Sequence, residues 1–428
     1  MSGIPTSLDP IGPYAWLREE GLRRIFAALR DGGGEARVVG GAVRDALLGH
    51  EVREVDLATT LEPARVTELL AAAGLRIKPT GLAHGTVTAV FDGKGYEITT
   101  LRRDVETDGR HAKVAFTDDW RTDAARRDFT MNAIYADASG KLYDYHHGQE
   151  DLAAGIVRFI GDPRQRIQED VLRILRFFRF NAWFAKREID SEGLSACREL
   201  APLMSRLSIE RVARELLKLF RAPNPLSAWR CMSNNGIAGF ALPEAETSLV
   251  RFEALIDLEM RVADHDPAAP ARLFPSAGLM RLASVLPADA NICEAVGRRL
   301  KLSNHDTEAL TTFGSLPTLL AQEKLTREAF RRALYRHGDG LALASALLAC
   351  SCEVCLSDRL GETVAEALAW NPIAFPVRGK DLAALGLAEG PRMGELLRKI
   401  EDWWIARDFR PTREECLAQA KILKGGLW

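Results

Sequence analysis

The sequence predicts an α+β domain followed by an all-α remainder. Three observations carry this. Strand-like runs are confined to the first third of the chain. Helical periodicity takes over after Gly161. A Gly-Gly turn between a short apolar run and a helix opens the first part. With 428 residues the chain is too long for one ordinary domain.

The first helix is expected from about Pro13 to Arg30, with Trp16, Leu17, Ile25, Phe26 and Leu29 on one face, ended by Asp31-Gly-Gly-Gly34. Arg37–Val39 reads as a strand, Ala42–Leu48 as a helix stopped by Gly49, and Val52–Ala58 as a second strand. Pro63 opens a helix to Ala73, since proline suits a first turn. Val87–Phe91 and Tyr96–Leu101 read as a hairpin across Asp92-Gly93-Lys94-Gly95. Gln165–Phe184, Ile209–Arg221 and Pro225–Asn234 carry helical spacing, and Asp264–Pro275 reads as a loop.

A hydrophobic fraction of 47% suits a globular core. The longest apolar run, Leu341–Cys350, is too short to span a bilayer, and the opening MSGIPTSLDP lacks the features of a signal peptide. Seven scattered cysteines show no pairing pattern, so a cytoplasmic location is expected. Cys350, Cys352 and Cys355 lack a suitably spaced fourth ligand and read as structural thiols. His265-Asp266 and His305-Asp306 lack the companion blocks of a metal phosphohydrolase. The formal net charge of −2 hides a basic stretch from Arg158 to Arg187, expected to be a localised polyanion site.

Three constellations could carry chemistry. Val38-Val-Gly-Gly-Ala-Val-Arg-Asp45 feeds Gly40-Gly41 into a helix start, where backbone N–H groups can approach a phosphate and Arg44 can add charge. Glu54-Val-Asp56 places two carboxylates at i and i+2 of a strand, on one side, as two Mg²⁺ ions beside a triphosphate require. Each feature alone is equally a tight turn or a solvated strand face. Arg126-Arg-Asp-Phe-Thr-Met-Asn-Ala133 gathers two cations, a carboxylate and an amide that could hold a triphosphate and ribose, or simply start a capped helix. Glu169-Asp-Val-Leu-Arg-Ile-Leu-Arg176 puts Asp170 and Arg173 at i and i+3, on one face if the helix is continuous; an intrahelical ion pair is the ordinary reading.

Taken together, VVGGAVRDALLG, VDLATT, HGTVTAVF, YEITTLRRD, DGRHAKVAF, RRDFTMNAIYAD, GDPRQRIQEDVLRILRFFRF and SIERVARELLKLF occur in an order that closely resembles the class II CCA-adding enzymes, the tRNA nucleotidyltransferases of the polymerase-β superfamily. The match is strong over the first half of the chain and looser beyond it. The resemblance implies a nucleotidyltransferase head over 1–150, a base-binding neck over 151–222, a helical body over 223–370 and a tRNA-binding tail over 371–428. It implies template-independent addition of C, C and A to the 3′ end of tRNA from CTP and ATP, with Mg²⁺ as metal, the tRNA acceptor arm as partner, and neither DNA nor a membrane involved. Gly40, Gly41, Arg44 and Asp45 would hold the triphosphate, and Glu54 and Asp56 would be the catalytic metal ligands. Arg127, Asp128 and Asn132 would contact sugar and phosphates. Glu169, Asp170, Arg173 and Arg176 would line the neck, braced by Glu210, Arg211 and Glu215. The loop around Arg103–Lys113 matches the family's flexible element. The family usually has Asp-x-Asp where this chain has Glu54-Val-Asp56, and Glu97 is a candidate third carboxylate. A poly(A) polymerase or a CC- or A-adding enzyme on the same scaffold is the nearest rival reading, and a non-catalytic tRNA-binding relative is a rival from another class. Amides of Gly379–Gly394 could hold a tRNA phosphate, and Trp403-Trp404 is expected to pack in the tail core.

Overall fold

The computed structural model describes residues 5, 7–8, 14–78, 85–107, 112–265, 277–352, 358–386 and 390–425. Cys355, Asp266 and the tip of the Arg103–Lys113 loop lie outside the described residues.

A 3-10 turn, Ala15–Arg18, and α1, Glu20–Asp31, replace the single first helix expected from sequence. The break falls at Glu19, whose extended backbone lets its carboxylate accept from Lys94 Nζ at 2.5 Å and from the Tyr96 hydroxyl at 3.1 Å. The strands and helices that follow are β1 (Ala36–Val39), α2 (Gly41–Leu47), β2 (Val55–Thr59), α3 (Pro63–Ala72), β3 (Arg76–Lys78), β4 (Thr86–Phe91) and β5 (Lys94–Thr100). The β4–β5 turn is Asp92-Gly93, both with positive φ, the two-residue geometry that matches strand twist. A separate two-stranded ribbon, β6 (Arg102–Thr107) and β7 (Ala112–Phe116), follows, and then α4 (Trp120–Ala125), β8 (Ile134–Ala136) and β9 (Leu142–Asp144).

Seven strands form one mixed sheet in the order β3-β4-β5-β2-β1-β8-β9, in which only β2 and β5 run parallel. The register puts Glu97 beside Asp56, Asp56 opposite Val39, Val39 opposite Tyr135 and Tyr135 opposite Tyr143. Residues paired in register share a face, so one row crosses the sheet with two carboxylates at one end and two tyrosines at the other. Tyr96, one residue from Glu97, points to the opposite face. There α1 approaches so closely that a Cβ at Gly21 would lie 3.0 Å from the Tyr96 ring. Apolar helices thus cover one face, and the carboxylate row lies on the other.

After β9 the chain is helical: α5 (Gly148–Ala154), α6 (Pro163–Glu169), α7 (Arg173–Phe184), α8 (Ser191–Leu200), α9 (Ile209–Phe220), α10 (Pro225–Asn234) and α11 (Ala238–Ala241). The helix expected over Gln165–Phe184 is divided. Asp170 is extended (φ −148°, ψ 103°), and its Oδ1 accepts from the Leu172 N–H at 3.1 Å, diverting the backbone as aspartate readily does. Asp170 and Arg173 therefore do not share one turn of a continuous helix.

No strand follows Asp144 among the described residues, yet the first compact unit runs on to Pro243. Phe129 of the sheet domain packs on Phe159, Phe177 and Phe180, and bridges to Phe159 through the backbone. Asp128 O and Arg158 O accept the Ile160 and Thr130 N–H groups at 3.1 and 3.0 Å. The second unit, Glu244–Trp428, is helical, from α12 (Val250–His265) through Arg413–Gly425. Its last part closes on Val377, Leu382, Leu396, Ile400, Trp404 and Cys416, so Trp404 is a core residue, as the sequence suggested. Cys350 is buried while Cys352 is exposed.

Candidate active site

Gly40 ends β1 and caps α2 with φ 76°, a conformation that favours glycine. A Cβ there would meet nothing closer than Arg127 Nη1 and Asn132 O, both at 3.9 Å, so the requirement is conformational rather than steric. The turn lies directly after Val39, the neighbour of Asp56 in the cross-sheet row.

Around this turn the polar side chains form one connected chain. Arg44 donates from Nη1 to Asn132 Oδ1 at 2.8 Å and from Nε to Asp45 Oδ1 at 2.9 Å, while its guanidinium lies 4.4 Å from the centre of the Phe184 ring. Asn132 Nδ2 donates to Asp128 Oδ1 at 3.1 Å. The other Asp128 oxygen accepts from Arg176 Nε at 2.7 Å and from Arg176 Nη2. Asp128 and Asn132 are both buried. Burial works against the Asp128 charge, but Arg176 and Asn132 overcome it and hold its pKa down at about 2. Gly40, Gly41, Arg44, Asp45, Asp128, Asn132 and Arg176 are thereby brought together.

Arg127 reaches the same face through two residues that the sequence reading missed. Its Nε donates to the Tyr135 hydroxyl at 3.2 Å and its Nη2 to Asp123 Oδ2 at 3.1 Å, and the Tyr135 hydroxyl donates to the same Asp123 oxygen at 2.8 Å. Asp123 Oδ1 takes Arg126 Nη2 at 2.6 Å. Burial again opposes the charge, and the two arginines with Tyr135 pull the Asp123 pKa down to about 2. The available signal was spacing: Asp123 lies three and four residues before Arg126 and Arg127, as helical partners do.

Asp56, Glu97 and Glu54 are exposed side chains. Surrounding protein, and then the like charges of Glu97 and Glu54, raise the Asp56 pKa to about 6 against the pull of Arg127. The Asp56 side chain is open to solvent even so, which makes the two like charges the more telling cause. A divalent cation relieves such repulsion. No three metal-binding side chains stand together as a ready cage among the described residues. A metal held by Glu54 and Asp56 would therefore complete its shell from phosphate and water oxygens, the usual manner of Mg²⁺ beside a nucleotide. The donor set fits that role.

At the α6–α7 break, Arg173 Nη1 donates to Glu169 Oε2 at 2.7 Å and to Arg166 O at 2.8 Å, and its Nη2 donates to Arg126 O at 3.0 Å. Arg211 Nη2 donates to Asp170 Oδ2 at 2.8 Å, and Arg179 Nε donates to Glu215 Oε2 at 2.5 Å. Glu210 is exposed in the first turn of α9. The basic stretch Arg158–Arg187, expected from sequence to be a polyanion site, is largely consumed inside the fold. Arg158 is paired with Asp151, Arg164 with Glu199, Arg166 and Arg173 with Glu169, Arg176 with Asp128 and Arg179 with Glu215. Most of these carboxylates come from outside the stretch, so a local charge count could not see them.

Residues 36–158 match the family model described as the poly A polymerase head domain, and residues 188–249 the model described as the probable RNA and SrmB-binding site of polymerase A. The mitochondrial CCA tRNA nucleotidyltransferase 1 of Mus musculus is 32% identical over 408 residues, spanning 94% of this chain and 90% of its own length. The CCA-adding enzyme of Levilactobacillus brevis is 31% identical over 94% of this chain and 97% of its own. Among solved structures, the Bacillus stearothermophilus CCA-adding enzyme in complex with CTP superposes with a TM-score of 0.70 at 27% identity, over 95% of this chain and 98% of that one. With relatives of this identity matched along almost their whole length, the chain belongs to the family of CCA-adding enzymes, the tRNA nucleotidyltransferases.

Proposed function

We propose that this protein adds C, C and A in turn to the 3′ end of tRNA, without a nucleic-acid template, from CTP and ATP. The observation that carries the reading is the cross-sheet row Glu97–Asp56–Val39–Tyr135, which sets the carboxylates beside the Gly40-Gly41 turn and the Arg44–Asn132–Asp128–Arg176 chain. Glu54 and Asp56 would hold Mg²⁺, which when bound neutralises charge on the reacting phosphates and lowers the pKa of a bound hydroxyl.

The reaction is an in-line displacement. The primer 3′ hydroxyl gives up its proton to solvent as its oxygen bonds to the α-phosphorus, and the bond from that phosphorus to the departing pyrophosphate breaks. The Gly40-Gly41 turn admits phosphate oxygens to the start of α2. Arg44 and Arg127 supply fixed positive charge whose orientation is set in advance by Asn132, Asp45, Asp123 and Tyr135, so little reorganisation accompanies the reaction. Asn132, held by Asp128 and Arg44, would contact the ribose through its remaining Nδ2–H.

Asp170 and Arg173, at the α6–α7 break, read the base. Arg173 Nε has no protein partner among the described residues, and each Asp170 oxygen accepts one bond, leaving a lone pair. A guanidinium donor and a carboxylate acceptor match the ring nitrogen and amine of C and of A. U and G present the reverse pattern. Glu169 holds Arg166 and Arg173, and Arg211 and Glu215 on α9 brace the region from behind. The head, neck, body and tail segments given above divide this work, with the tail holding the tRNA. The free thiols of the described cysteines support a cytoplasmic setting.

Incubating the protein with tRNA ending at its discriminator base, Mg²⁺ and labelled CTP and ATP should yield a ladder that stops at CCA. A long A ladder or a stop at CC would favour the rival polymerases, and no product would leave only tRNA binding. Asp56→Ala should abolish addition while tRNA still binds. Glu54→Asp should retain or raise turnover, and a large fall in kcat would show a metal site built around the longer side chain.

Asp56 also gives a pH dependence. Its folded pKa of about 6 lies above the ordinary 3.8. Below the lower value both folded and unfolded states hold the proton, and the group contributes nothing. Between the two values the cost of ionising it in the fold grows, and above the upper value that cost is fully present. Asp56→Asn should therefore raise the melting temperature at about pH 8 in a chelator, with the gain shrinking as pH falls and gone by about pH 3. Equal melting temperatures at both pH values would remove the repulsion.

Arg173→Ala should weaken C and A addition by about 1.5–3 kcal/mol, the worth of a hydrogen bond to a charged group, and relax rejection of UTP. The check is kcat/KM for each nucleotide at saturating tRNA. An unchanged C-to-U ratio in a folded variant would leave Arg173 only its bracing role.

A further inference from the structure

Because the arginines of α7 are spent on internal carboxylates, free positive charge must be sought elsewhere. It lies on α9. Arg211, Arg214, Lys218 and Arg221 follow at intervals of three, four and three residues, and at 3.6 residues per turn they fall within about 80° of arc. Arg211 is tied to Asp170. Arg214, Lys218 and Arg221 are exposed and have no carboxylate at ion-pair distance among the described residues. Three unpaired cations on one helix face are a poor arrangement for stability, since like charges repel.

An aromatic plate lies at the C-terminal end of this helix. Trp183, near the end of α7, is 39% exposed, and its Nε1 donates to the carbonyl of Lys218 at 3.0 Å. The bond holds the indole and satisfies its one donor. Trp183 contacts Phe184 at 6.4 Å between ring centres, and the exposed His50 stacks on Phe184 at the same distance. Phe184 in turn lies under Arg44, which is bonded to Asn132. An unbroken path of contacts thus leads from the Gly40-Gly41 turn through Arg44, Phe184 and Trp183 to the backbone of α9 at Lys218, one of its exposed cations. Exposed Lys186 and Arg187 follow directly in the chain.

A row of free cations beside a half-exposed indole is the pairing that binds single-stranded nucleic acid, where phosphates need neutralising and unpaired bases need a surface to stack on. We propose that Trp183 and the Arg214–Lys218–Arg221 face of α9 seat the single-stranded 3′ end of the RNA substrate, with Trp183 stacking an unpaired base and the helix face tracking the phosphates. This rests on the reading of the protein as an enzyme acting on tRNA, and assigns that substrate a seat outside the nucleotide pocket.

The test is direct binding of tRNA ending in CC, followed by gel mobility in EDTA over a series of salt concentrations, with no nucleotide added. The full-length protein is compared with Trp183→Ala, Trp183→Phe and the triple variant Arg214→Gln/Lys218→Gln/Arg221→Gln. Trp183→Ala should weaken binding roughly 5- to 100-fold, the value of one stacked base, and Trp183→Phe should recover most of it. The triple variant should reduce the slope of log affinity against log salt by about 2, as expected for three lost contacts to a single strand. Melting curves identify a variant that has lost its fold, and the phenylalanine variant keeps the stacking arm interpretable in that event. Affinities and salt slope equal to those of the unaltered protein, or an unaltered protein that does not bind this RNA, would overturn the proposal. Incorporation of C and A is measured separately on the unaltered protein. The enzyme reading can therefore stand while this seat fails, and loss of incorporation with binding intact would have the opposite meaning.

Discussion

The buried carboxylate of Asp128 is the constraint on which the rest of the site depends. It accepts from Asn132, from Arg176 on α7 and from the N–H of Phe129 beside it. Through Asn132 it fixes Arg44 and hence the surroundings of the Gly-Gly turn. Through Arg176 it fixes α7 against the sheet domain. A lone ionised carboxylate in such a place would be strongly destabilising, so the two segments are each incomplete without the other. This is one reason the first compact unit runs on past the last strand: α7 supplies the cation that Asp128 requires.

Asp123 repeats the logic one turn away. It gathers Arg126 and Arg127 and is supported by Tyr135, which stands in the same cross-sheet row as Asp56. The carboxylates facing Arg127 in that row are therefore offset by a cation whose own position is set by a second buried acid. Internal pairing of arginines also divides the molecule's positive charge into two kinds. The arginines of α6 and α7 are paired with carboxylates of the fold, whereas Arg214, Lys218 and Arg221 remain open to solvent.

Much of this was legible in the sequence, and the failures have identifiable causes. The Gly40 turn, the β4–β5 hairpin and the grouping of Arg127, Asp128 and Asn132 follow from local chemistry that the chain states plainly. Helix continuity was misjudged twice. Glu19 and Asp170 both break a good helical pattern, Glu19 where its carboxylate meets the remote Lys94, and Asp170 where one oxygen accepts from the nearby Leu172 N–H and the other from the remote Arg211. The basic stretch carries less free charge than a local count suggests, since Asp128, Asp151, Glu199 and Glu215 pair with it from outside. Asp123 was passed over because a single aspartate in a short helix looks like solvated surface until its burial is seen. Periodicity reports burial well, but it does not report which distant charge will arrive.

The central claim is that Asp128 and Arg176 act as one unit joining the two halves of the nucleotide site. A double-mutant cycle tests it most directly, with Asp128→Asn, Arg176→Met and the pair compared in unfolding free energy and in CTP affinity. The account predicts that the double variant is less damaged than the sum of the singles, with a coupling of about 2 kcal/mol or more in stability and a loss of CTP affinity in every variant. Additive effects on stability, or a CTP affinity that does not change when the pair is broken, would contradict it.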